Sequence, residues 1–168
     1  TGIEVVIGAS TISVSEVEDI RIDLSGNHDT AVINDLAGSG ISNGSITVLG
    51  GAGHDSIDGA NATTRLVLDG ESGEDTLGGG SNNDSLSGGA GNDELAGGAG
   101  NDILAGGDGN DIFAWDSGDG NDSISGGFGD DDTLVFNASS DNDSLLIEVA
   151  GGAGPVAVRG RTSNRLNS

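Results

Sequence analysis

Large apolar residues fall nine positions apart through the middle of the chain, at Leu77, Leu86, Leu95, Leu104 and Phe113. Ile57, Leu66, Ile124 and Leu134 extend the series with looser spacing. Glycine-rich segments ending in aspartate separate them, and no segment carries the apolar spacing of a helix. The pattern predicts a brief strand around each apolar residue and a tight turn between strands, since glycine enters the positive-φ region at little steric cost. Repetition at such a period is the mark of a solenoid. Two units complete one coil, so alternate units share a side and their apolar residues stack as two internal ladders.

The unit reads Gly-Gly-x-Gly-x-Asp-x-U-x, with U large and apolar, and begins at Gly50, Gly70, Gly79, Gly88, Gly97, Gly106, Ser117 and Gly126. Units at 50, 70, 88, 106 and 126 belong to one side, and those at 79, 97 and 117 to the other. Residues 59–64, GANATT, fill the second side as a degenerate turn without aspartate. Before the array, EVVI, TISV, DIRIDL, TAVIND and SITVL alternate in the manner of strands and predict irregular coils over residues 1–49. SGNHDT among them resembles a decayed turn on the side of the turn at 50, and the sequence leaves open whether its Asp29 joins that column. The array proper spans 50–136. Residues 137–168 follow as capping strands and a flexible tail, with LLIEV as a further apolar strand and three of the five arginines in the last ten residues, a basic end suited to dock on acidic coils.

Composition changes the energetic picture. With 33 glycines in 168 residues, three Phe, one Trp and no Tyr, an ordinary layered core is out of reach. One large apolar side chain per nine residues is too little burial to offset the ordering of that much backbone. The net charge of −23, from 28 acids against five basic residues, makes the chain repel itself and disfavours nucleic acid as a partner. Cysteine is absent, which excludes disulfides and thiolate metal sites and suits an exported protein. No apolar run is long enough to span a bilayer.

Stacked coils about 4.8 Å apart bring same-side aspartates together. Two such charges repel by roughly 3 kcal/mol at an effective dielectric of about 20. A cation must lie between them. Carboxylate oxygens with turn carbonyls in a glycine frame suit Ca²⁺, which accepts six to eight oxygens, better than Mg²⁺ or Zn²⁺.

These nonapeptides resemble the repeats-in-toxin (RTX) family, strongly between Gly50 and Phe136. The resemblance implies an all-β, right-handed parallel β-roll or β-helix solenoid, with calcium between turns and a C-terminal cap. It implies roughly six to eight ions. Their ligands would be Asp55, Asp75, Asp84, Asp93, Asp102, Asp111, Asp122 and Asp131, with turn carbonyls at Gly51, Gly53, Gly89, Gly91, Gly98, Gly100, Gly107 and Gly109. Same-side turns pair as 50/70, 70/88, 88/106 and 106/126, and as 79/97 and 97/117. Asn82 replaces a turn glycine in the unit at 79, Glu71 replaces one in the unit at 70, and the 59/79 half-site is expected to be weak or empty. Asp130, Asp131 and Asp132 compete for one role. Phe113, Trp115, Phe128 and Phe136, the only aromatics, would seal the C-terminal end. Family resemblance further implies a type I secretion machinery as partner, a secreted or cell-surface location, and folding outside the cell, where calcium is abundant.

Other chemistry is weaker. His28 and His54 precede turn aspartates and invite a zinc reading, but two imidazoles make an incomplete site and fill a slot that is Asn elsewhere. Uniform aspartates lack the paired unlike carboxyls of a glycosidase, and the Gly-x-Gly fragments precede no helix. The chain is therefore read as a binding module and not as an enzyme. Ice binding would need a rank of threonines that the turns lack. A calcium-dependent carbohydrate- or surface-binding module, as in adhesins and polysaccharide-modifying enzymes, is the alternative function.

Overall fold

The computed structural model describes residues 3–7, 10–14, 19–34, 44–128, 131–137 and 157–161, and all of its regular elements are strands. From Ile20 to Asn137 the described strands alternate between two parallel sheets, as a coil of two turns requires. One sheet takes β3 (Ile20–Asp23), β5 (Ser45–Ala52), β7 (Arg65–Ser72), β9 (Ser85–Ala90), β11 (Ile103–Asp108) and β13 (Ser123–Phe128) in that order. The other takes β4 (Thr30–Val32), β6 (Ser56–Asp58), β8 (Thr76–Gly78), β10 (Glu94–Ala96), β12 (Ile112–Asp116), β14 (Thr133–Asn137) and β15 (Ala157–Arg161). The chain is thus a parallel β-solenoid.

Register stacks like on like. In the second sheet Ala31, Ile57, Leu77, Leu95, Phe113 and Leu134 lie directly above one another. Ile57, Leu77, Leu95 and Phe113 are almost wholly excluded from solvent. In the first sheet the row is Ile22, Val48, Leu68, Leu86, Leu104 and Ile124. Leu68, not Leu66, therefore partners Leu86. The eight-residue strands β5 and β7 bury a second row, Ile20, Ile46 and Leu66, beside the first, so the core is wider at the N-terminal end than the nine-residue period predicts.

Two expectations are corrected at the ends. The segments EVVI and TISV, read as strands of earlier coils, form β1 (Ile3–Ile7) and β2 (Ser10–Val14), which pair antiparallel in a sheet of their own. Phe128 does not join the aromatic seal and is 85% exposed. It shares a register position with Asp108 and Ala90 on the outer face of the turns, where alternation points the side chain away from the core. Trp115 stacks instead on Phe136 with ring centroids 4.7 Å apart, one coil beyond buried Phe113. Beyond them β15 extends the second sheet from the C-terminal segment. The LLIEV strand and the final seven residues lie outside the described residues, as do the side chains on which a basic docking end depends.

Candidate metal centre

Each turn aspartate is fixed from both sides by its own coil stack. The N–H of Asp55 donates to Oδ1 of Asp75 at 2.7 Å, Asp75 to Asp93 at 2.8 Å, Asp93 to Asp111 at 2.9 Å, and Asp111 to Asp132 at 3.0 Å. Across the roll, Asp84 donates to Asp102 and Asp102 to Asp122. One residue earlier in the turn a second ladder runs in the opposite sense. Asn110 N–H donates to Asn92 Oδ1 and Asp131 N–H to Asn110 Oδ1, while Asn101 and Asn121 continue a similar row opposite. The counter-running ladders tie most turns to the coils on either side.

Those ladders use only Oδ1. The Oδ2 atoms of Asp55, Asp75, Asp93, Asp102 and Asp111 are buried and have no hydrogen-bond partner, as is that of Asp29. An orphaned buried carboxylate oxygen is costly unless something positive meets it. Its surroundings are main-chain oxygens. Oδ2 of Asp55 and the carbonyl oxygen of Gly70 lie 2.6 Å and 2.8 Å from where a Cβ on Gly50 would stand. The carbonyls of Gly53, Gly73, Gly89, Gly91, Gly100 and Gly107 point into the gap toward the next coil, where a methyl on its glycine would overlap them. Gly91, at φ 138°, shows why glycine is needed: any side chain there would strike the Gly73 carbonyl. The gap is an oxygen-lined cradle with an unmet negative charge, and such donors fit Ca²⁺. Among the described residues no three His, Cys, Asp or Glu side chains converge, because most donors in this cradle are backbone.

Burial raises the carboxyl groups of Asp93 and Asp102 to about 6, with the neighbouring aspartates of the stack adding to the rise. Asp75, Asp84, Asp111 and Asp122 are raised for the same first reason. The fold without cations holds carboxylates where they are reluctant to ionise.

The RTX calcium-binding nonapeptide repeat matches in four copies, over residues 47–62, 67–86, 78–113 and 116–133. The chain belongs to the RTX calcium-binding nonapeptide-repeat family. No curated protein and no solved structure matches it. Its RTX repeats make it a calcium-binding module built on a structural β-roll.

Not every RTX turn is alike. At the last one Asp132, not Asp131, receives the Asp111 N–H and is buried, while Asp131 is exposed and stands in the asparagine row. The unit at Gly126 carries one extra residue, and Leu134, two positions after Asp132, is the sequence signal that marks the shift. Asp84 departs further. Its Oδ1 accepts from Leu66 N–H and its Oδ2 from Gly80 N–H, both at 2.7 Å, so both oxygens are satisfied without a cation. Neither Gly80 nor Asn82 adopts the positive φ found at the equivalent positions of the other turns, and the turn closes on its own carboxylate. Below it Leu66 occupies the aspartate's place in the ladder, since its N–H fills the bond that an aspartate N–H makes elsewhere. Glu71, by contrast, keeps the glycine geometry at φ 67°.

The histidines follow the bland reading. His28 and His54 are exposed and stack 4.7 Å apart, with Nδ1 of His28 accepting His54 N–H and Nδ1 of His54 accepting Glu74 N–H. They are members of the outer ladder, in the slot that Asn92 and Asn110 fill farther along.

Proposed function

We propose that this module is a calcium-triggered folding element of a secreted or cell-surface bacterial protein, which stabilises or presents its parent once calcium is met outside the cell. Five buried Oδ2 atoms inside the repeat array, at Asp55, Asp75, Asp93, Asp102 and Asp111, carry the reading. These residues would hold calcium together with the carbonyls of the neighbouring turns, in the gaps 55/75, 75/93, 93/111, 111/132 and 102/122. Bound calcium supplies positive charge between stacked carboxylates. Asp93 and Asp102, reluctant to ionise when buried alone, then remain ionised, and the coils close on one another. Without it, a chain of charge −23 with a thin core favours the unfolded state.

Extracellular-type dissociation constants of about 10⁻⁴–10⁻³ M fill such sites only after export, consistent with passage through a type I channel as an unfolded chain. Far-ultraviolet circular dichroism in chelator and in millimolar calcium tests the reading. Cooperative gain of β signal with calcium is expected, and a β spectrum identical in both would overturn it.

A further inference from the structure

The first turn of the solenoid carries no repeat signature and lies outside the matched residues, which begin at 47. Residues 24–29 read LSGNHD, with leucine, serine and asparagine where the repeats place glycine, and Leu24, in the place of Gly50, packs against the apolar core. The backbone nevertheless takes the repeat geometry. Ser25 has φ 75° and Asn27 φ 116°, both in the positive range that their counterparts Gly51 and Gly53 occupy. Asn27 N–H donates to Ala52 carbonyl at 2.7 Å, as Gly53 N–H does to Ser72 and Gly73 N–H to Ala90. Asp29 N–H donates to Oδ1 of Asp55 at 2.8 Å, starting the aspartate ladder one coil earlier than the repeats do.

What points to a ligand is the same as in the array. Oδ2 of Asp29 is buried without a partner. The carbonyls of Ser25 and Asn27 project toward the coil above, where only glycines leave them room: a methyl on Gly51 would overlap the first and one on Gly53 the second. Carboxylate, two turn carbonyls and the following coil's aspartate thus surround one gap.

We propose that the turn at 24–29 is a further divalent-cation site, in which Asp29 Oδ2 and the carbonyls of Ser25 and Asn27 hold calcium against the turn at 50–55. The site rests on the reading of the repeats as calcium sites and adds one ion to that column. It seals the wider, Ile20–Ile46–Leu66 end of the core, so the cation column and the apolar core begin at the same coil. With a neighbouring coil on one side only among the described residues of that column, and two residues in a conformation disfavoured without glycine, it is the weakest site of the column.

Native mass spectrometry of the full chain in calcium counts the ions directly. Asp29→Asn should bind one ion fewer than the unaltered chain, with the remainder kept. An equal count in the two would overturn the site while leaving the repeats' reading intact, whereas no uptake by the unaltered chain would overturn both. A companion variant, Ser25→Gly with Asn27→Gly, touches no side-chain ligand and relieves the two unfavourable φ angles. It should lower the midpoint of the weakest calcium step by about fivefold or more. A weakest step left at its original midpoint overturns the assignment whether or not the aspartate variant folds.

Discussion

The main-chain N–H of Asp75 donates to Oδ1 of Asp93 across 2.8 Å, and Oδ2 of the same Asp93 meets nothing. One side chain thus ties two coils together and offers a charge to the space between them. Asp93→Asn preserves the shape and an acceptor for the Asp75 N–H but removes the charge. A rise of about tenfold or more in the calcium midpoint for β structure is expected, because a central coil supports neighbours on both sides. Circular dichroism against free calcium checks it, and the same substitution at Asp29 should shift the midpoint less.

Asp84 and Asp102 are neighbours in one column with opposite behaviour. Asp102→Asn should lose one bound calcium. Asp84→Asn should keep the full count, since two main-chain donors already satisfy that carboxylate, and should instead lower stability by about 1–3 kcal/mol through the weakened bonds to Leu66 and Gly80. Ion counting together with thermal melts in calcium separates the two effects.

Acid should partly replace calcium. Asp93 and Asp102 ionise near 6 in the fold against an ordinary value of 3.8, so the folded chain binds more protons than the unfolded one between about pH 4 and 6. Stability of the cation-free fold therefore rises as pH falls through that window and is lost as pH climbs above it. In chelator, β signal should increase on going from pH 7 to pH 4. Calcium midpoints should move the other way, weakening below about pH 6 as protons compete for the same oxygens.

Glu71 holds a positive φ that its glycine equivalents take without strain. Glu71→Gly should stabilise the calcium-bound fold by about 0.5–1 kcal/mol, the steric relief exceeding the entropy returned to the unfolded chain. Thermal melting at fixed calcium reads the shift, and a lower melting temperature would show that the carboxylate contributes in some other way.

At the C-terminal end, Trp115 stacks on Phe136 and accepts no such company from Phe128. Its indole lies near enough to Asp122 to favour the ionised carboxylate, which relates the aromatic cap to the second aspartate column. Phe136→Ala should raise the calcium midpoint severalfold, whereas Phe128→Ser should leave it unchanged. The emission of Trp115 should shift to the blue as calcium folds the chain, and an unmoved spectrum would place the cap elsewhere.

The nine-residue period by itself determined the solenoid, the two sides, the ladder of Leu77, Leu95 and Phe113, and the aspartate columns, because each unit repeats one local conformation and stacking like on like follows from it. Tertiary structure decided what depends on how many residues separate one coil from the next. Leu66 reads as position eight in the sequence, yet the long strands β5 and β7 shift the register and set Leu68 above Leu86. Asp131 fits the unit by counting, yet the extra residue before it hands the inner position to Asp132. Asp84 has the residue of a ligand, and only its bonds to Leu66 and Gly80 reveal a carboxylate already satisfied. Asp29 stands in a segment without the repeat's glycines, and only the backbone of Ser25 and Asn27 reveals the turn. In each case residue type states which chemistry is available, while the hydrogen bonds of the neighbouring coil determine whether an oxygen is left to use it.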